Sequence, residues 1–183
     1  MPFLDVLTIN EDDKSSVEIS EIIWRALEYF PRDLWIGVNY LGNMNMEHDV
    51  KLRSKETVYR AFIFHNLIEK IRRIRKLLKI KEVLLAVTCD PIIAIYHRFE
   101  VEKLSCFANL IHDYVSGDVG VVSLFQIEEE KASKVVAHGL GHNRGLRHHV
   151  EPVDIMYEGL LKHTALRKNG FCNECLKRMI REK

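Results

Sequence analysis

Three histidines, His138, His142 and His148, stand within the stretch HGLGHNRGLRH, and four of the chain's nine histidines fall between positions 138 and 149. A separation of four residues puts His138 and His142 on one face of a helix, one turn apart, where both rings can reach the same ion. A third ligand from the next turn of that face would crowd the other two. Gly145, three residues past His142, removes the difficulty: glycine takes the left-handed conformation that ends a helix, and the chain can turn and bring His148 back. Three imidazoles leave a fourth position for water, which is the arrangement of a catalytic rather than a purely structural zinc. A lone histidine on a helix is usually a core or surface residue, but three with a glycine at this spacing point to a metal.

The four cysteines are Cys89, Cys106, Cys172 and Cys175, and only the last two are close together. In an intracellular chain a Cys-x-x-Cys pair reads as metal ligands or as a redox pair sooner than as a structural disulfide.

The order His138, His142, Gly145, His148 resembles the metzincin signature, and Met156, eight residues after His148, resembles the methionine of the Met-turn. With the downstream Cys172 and Cys175, the chain resembles the archaemetzincin family. That resemblance implies a second, structural zinc. The family holds it with a cysteine directly after the third histidine, another five residues on, and a Cys-x-x-Cys. Here those positions read His149, Asp154, Cys172 and Cys175. Both replacements are themselves zinc ligands, so two zinc ions are expected. Val83–Asp90 (VLLAVTCD) resembles a strand of the family that ends in threonine and aspartate. Gly120–Ile127 (GVVSLFQI) resembles its edge-strand segment before the zinc helix. The likeness covers about half the chain and is densest from 138 to 175.

Metzincin peptidases carry a glutamate directly after the first histidine, where it takes a proton from the zinc-bound water. This chain has Gly139 there. Loss of a general base costs roughly 10²- to 10⁴-fold in rate, so the resemblance implies a zinc protein of the metallopeptidase class with weak or absent hydrolysis. A surrogate base is the alternative. Glu128, Glu129 and Glu130 lie two or more turns upstream, whereas Glu151, Asp154 and Glu158 follow the third histidine. A third reading is a non-enzymatic zinc-stabilised module.

The elements that must position these residues form an α+β chain, α/β-like in its early part. Residues 3–9 predict a strand. Ser15 and Glu18 form a capping box for a helix that closes at Pro31. Residues 34–38 predict a strand and 41–53 a loop. The stripe Val58, Phe62, Leu67, Ile71, Ile74, Leu78 predicts one long helix over 55–78. Strands follow at 83–88 and 120–125, while 90–113 suggests a further strand and a loop. A helix from about Lys131 carries the first two histidines, a short helix covers 157–167, and a last one 173–182. The resemblance adds a mixed sheet with long helices over a zinc cleft and a small zinc-stapled C-terminal part. One domain, 1–183, is expected, divided into an upper part (1–145) with the zinc helix and a tail (146–183).

Composition narrows the function classes. The chain has 183 residues, 47% hydrophobic and 29% charged, with a net charge of +1, which suits a globular domain with a real core. The near-neutral charge argues against nucleic acid as a partner. The basic run Lys70, Arg72, Arg73, Arg75, Lys76, Lys79, Lys81 reads as a solvated face at a helix C-terminus. No apolar run approaches a membrane span, and the N-terminus lacks the basic and cleavage regions of a signal peptide. Cytoplasmic residence and a peptide or protein ligand are the expectations.

Overall fold

The computed structural model describes residues 3–100, 103–162 and 164–181. The described elements run, in order, β1 (Phe3–Ile9), α1 (Asp13–Leu27), β2 (Gly37–Met44), β3 (Val50–Ser54), β4 (Thr57–Ile63), α2 (Phe64–Leu77), β5 (Val83–Thr88), β6 (Ile92–Glu100), β7 (Lys103–Ile111), β8 (Asp113–Ser116), β9 (Val119–Ser123), α3 (Glu129–Asn143) and α4 (Asn173–Arg181). The arrangement is mixed α/β, with two sheets and four helices among the described residues, in keeping with the expected α+β chain that is α/β-like in its early part.

One sheet has the order β2-β1-β5-β9-β8. Its inner pairs are parallel, and β8 is added antiparallel to β9 as an edge. The apolar runs of β1, β5 and β9 are buried almost throughout because both faces of the sheet are covered. On β5 the side chains alternate: Leu85 and Val87 join a core with α1 and α3, while Leu84 and Ala86 join a second core with α2. Phe171 and Met179 extend the first core into the C-terminal segment. The other sheet, β3-β4-β6-β7, carries the long β6–β7 hairpin.

Several sequence expectations are corrected. Helix α1 is capped by Asp12, whose Oδ1 accepts the Ser15 N–H at 2.7 Å, and not by Ser15. The strand expected at 34–38 starts at Gly37, and much of the 41–53 loop is β2 and β3. The single helix over 55–78 is instead strand β4 followed by α2. Val58 and Phe62 fit a helical period, but the β-branched and aromatic run TVYRAFI pairs with both β3 and β6. The expected short helix at 157–167 is a series of turns. The Leu160 N–H reaches only three residues back, and the Arg167 N–H bonds to the Pro152 carbonyl. The segment Gly120–Ile127 is not at the sheet edge: β9 is interior and β8 forms the edge. The expected last helix, 173–182, agrees with α4 over Asn173–Arg181, and Glu182 lies outside the described residues. Among the described residues no helix is long and apolar enough to cross a membrane.

Candidate metal centre

Helix α3 packs Val135, Val136, Ala137 and Leu140 into the core, with Glu129 and Glu130 in its first turn, where acidic side chains suit the helix N-terminus. Its end is built as the glycine spacing requires. Gly145 has φ +73, its N–H donates to the His142 carbonyl at 3.0 Å, and the Leu146 N–H donates to the Gly141 carbonyl at 3.1 Å. This pair of bonds is a Schellman closure, and it turns the chain so that His148 comes back to the helix.

The three rings converge through their Nε2 atoms. The separations are 3.1 Å for His138–His142, 3.0 Å for His138–His148 and 2.9 Å for His142–His148. The far side of two rings fixes their chemistry. His138 Nδ1 lies 2.7 Å from the Ile155 carbonyl, and His142 Nδ1 lies 3.0 Å from the Leu146 carbonyl. A carbonyl only accepts, so each Nδ1 carries the proton and each Nε2 presents a bare lone pair. Burial holds both imidazoles below their usual pKa and so favours the neutral form. Two lone pairs 3.1 Å apart repel unless a cation lies between them. A zinc ion holding nitrogens at about 2.0–2.1 Å in tetrahedral directions keeps them roughly 3.3 Å apart. The three histidines therefore form a group that could hold a metal ion.

A second such group joins His149, Asp154, Cys172 and Cys175. His149 Nε2 lies 3.3 Å from Cys175 Sγ, 3.7 Å from Cys172 Sγ and 3.6 Å from Asp154 Oδ1. The expected set is thus brought together in full. Asp154, fully buried, also clamps the backbone. Its Oδ1 accepts the Met156 N–H at 2.8 Å and its Oδ2 the Cys172 N–H at 2.7 Å. Burial, with Asp154 beside it, pushes the Cys175 thiol well above the usual range. Met156 is also fully buried. A Cβ on Gly141 would stand 2.6 Å from its Sδ, so Met156 lies directly against the helix turn between the first two histidines.

The histidine triad opens onto a cavity of about 690 Å³. One wall is the edge strand, with Asp113, Tyr114 and Val115, and the other is the 158–162 loop. Of the surrogate bases weighed from sequence, only Glu158 lines this cavity, and it is exposed. Glu129 pairs with Arg25 at 3.9 Å, Glu151 pairs with Arg167 at 2.9 Å, and Asp154 is held in its backbone clamp. Sequence reasoning missed Asp113. Burial pushes its carboxyl up to about 6 against the pull of His142, His148 and His112. Nothing in the local sequence distinguishes this aspartate; it reaches the site only through the antiparallel pairing of β8 with β9. The basic run lies on and after α2, with Arg75 bonded to Asp118 at 2.6 Å, Lys70 to Asp49 at 3.2 Å and Arg72 to Glu69 at 2.7 Å.

The sequence matches no known family profile, and no curated protein matches it. Solved structures do. An archaemetzincin from Methanopyrus kandleri superposes with a TM-score of 0.58 at 18% identity, over 98% of this chain and 93% of that one. The fold is archaemetzincin-like. A zinc-dependent peptidase from Methanocorpusculum labreanum gives a TM-score of 0.62 at 15% identity, over 96% and 99% of the two chains. A metalloproteinase from Bacteroides fragilis gives 0.50 at 12%, and this chain spans 52% of its length. The archaemetzincin-like fold thus carries two candidate metal clusters, one of them open to a cavity.

Proposed function

We propose that the protein is a zinc protein of the metallopeptidase class, with one zinc on His138, His142 and His148 and a second on His149, Asp154, Cys172 and Cys175. The observation that carries this reading is the convergence of three Nε2 atoms within 2.9–3.1 Å at the wall of a cavity. Two carbonyls leave the lone pairs of His138 and His142 facing one another. The second cluster offers sulfur, nitrogen and oxygen donors at spacings that suit zinc. Its free cysteines fit a reducing, cytoplasmic setting.

When bound at the histidines, zinc would polarise an amide carbonyl and bring the pKa of a bound water to about 7. The chain does the rest. The Ile155 and Leu146 carbonyls hold the rings in place, Met156 backs the helix turn that carries them, and the cavity between β8 and the 158–162 loop receives a peptide or protein segment. Gly139 offers no group that can move a proton, which by itself implies weak hydrolysis. A second reading, a working peptidase with another base, is favoured by the carboxyl of Asp113 in the same cavity.

Zinc content per chain tests the reading. Elemental analysis after zinc loading should give two ions, with one lost in His142→Ala and the other in Cys172→Ser. A loaded protein with no zinc, or two variants that both keep the parent's content, would refute it.

A further inference from the structure

We infer that Asp113 is the general base of this cleft, reaching from the edge strand into the room that Gly139 leaves open. The inference rests on the zinc reading above.

A Cβ built at Gly139 would stand 3.1 Å from Val115 Cγ2, 3.2 Å from Asp113 Cβ and 3.3 Å from Asp113 Oδ2. Strand β8 therefore packs so closely on α3 that a side chain at 139 would require Val115 and Asp113 to give by a few tenths of an ångström. The carboxyl lies against the helix one residue after His138 and three before His142, and it lines the cavity onto which the triad opens. Among the described residues no hydrogen bond or salt bridge engages the Asp113 carboxyl. Glu158, the other carboxylate that lines the cavity, is exposed.

In helical zinc sites the base is a carboxylate carried by the residue after the first histidine. Here that residue has no side chain, and a carboxylate from the neighbouring strand stands at the mouth of the same space. The step balances. Asp113 takes one proton of the attacking water as the water oxygen bonds to the amide carbon. It gives that proton to the amide nitrogen as the C–N bond breaks, leaving an acid and an amine with Asp113 again ionised. Glycine at 139 is then not a lost function but the condition for this placement.

The test uses the zinc-loaded full chain, Asp113→Asn, and the pair Asp113→Gly and Asp113→Gly/Gly139→Glu. Cleavage of a mixed peptide pool is followed by mass spectrometry, and acetohydroxamate binding is followed by calorimetry, which does not depend on turnover. Asp113→Asn should keep the parent's zinc content while kcat falls at least 100-fold and acetohydroxamate affinity falls about tenfold through loss of a charge-assisted bond. The double variant should recover at least tenfold of the activity lost in Asp113→Gly, because a glutamate at 139 then loses its two contacts with Asp113 and has only the Val115 methyl, 3.1 Å from the Cβ, to displace. An Asp113→Asn protein within threefold of the parent in both assays overturns the inference. So does a zinc-loaded parent that cleaves nothing, which leaves the zinc reading standing. Failure of zinc to bind the triad would instead defeat the reading on which the inference rests.

Discussion

Asp154 should stabilise the chain even when no metal is present. Its side chain is fully buried, and each oxygen takes one backbone N–H, Met156 at 2.8 Å and Cys172 at 2.7 Å. These bonds tie the 154–156 turn to the start of α4, eighteen residues on. In Asp154→Asn the shape is kept, but one oxygen becomes an NH₂ facing an N–H. One charge-assisted bond is lost, worth about 1.5–3 kcal/mol, and a buried donor is orphaned. Relief of the buried charge offsets part of this. The expected loss is about 2–3 kcal/mol, a large share of the roughly 5–15 kcal/mol that stabilises a domain. Urea unfolding in excess chelator, followed by far-UV circular dichroism, measures it. Cys172→Ser serves as the control, since it removes a candidate ligand and leaves both clamp bonds in place. If Asp154→Asn lies within about 0.5 kcal/mol of the parent in chelator, with a deficit only in zinc, the clamp contributes nothing and Asp154 acts solely as a ligand.

Two further outcomes are expected. Gly141→Ala gains about 1 kcal/mol of helix propensity. Its Cβ, however, would meet Met156 Sδ at 2.6 Å and Phe171 Cε1 at 3.2 Å in the core, and overpacking costs about 1–3 kcal/mol. A net loss of about 1 kcal/mol, or a Tm lower by about 2–4 °C, should appear in chelator; a higher Tm would contradict the packing. Loss of water around the Cys89 thiol, with Glu11 and Asp90 alongside, pushes it up to about 12 from 9.0. The thiolate fraction at pH 8 therefore falls about a thousandfold. Cys89 and Cys106 are both exposed, so access does not separate them; iodoacetamide followed by peptide mapping should label Cys106 at least tenfold faster than Cys89, and equal rates would refute the shift.

The histidine tripod was legible because its ligands lie within eleven residues, where helix geometry and one glycine decide the outcome. The sequence also showed strands β1, β5 and β9, whose apolar runs need no partner to be recognised. It failed where pairing overrides local preference. Val58 and Phe62 sit four apart and read as a helix face, yet β3 and β6 draw that run into a strand. The β6–β7 hairpin escaped because many of its side chains are exposed, so no inside–outside alternation marks it. The 157–167 segment carries Leu160 and Leu161, but its backbone bonds go to short turns and to the Pro152 carbonyl. Asp113 could not have been found by spacing: it lies 25 residues before His138 and arrives by sheet topology alone.

The Ile155 carbonyl that receives His138 Nδ1 stands between Asp154 of the second cluster and Met156 beneath the first. The same short strap therefore serves both groups. An ion bound to the already clamped Asp154 would further steady the acceptor that sets the tautomer of His138, and an ion at the histidines would steady the strap from the other side. Coupling of this kind is reciprocal: whatever factor one ion adds to the affinity of the other, it receives in return. At limiting zinc, such coupling would lower the share of chains that hold a single ion.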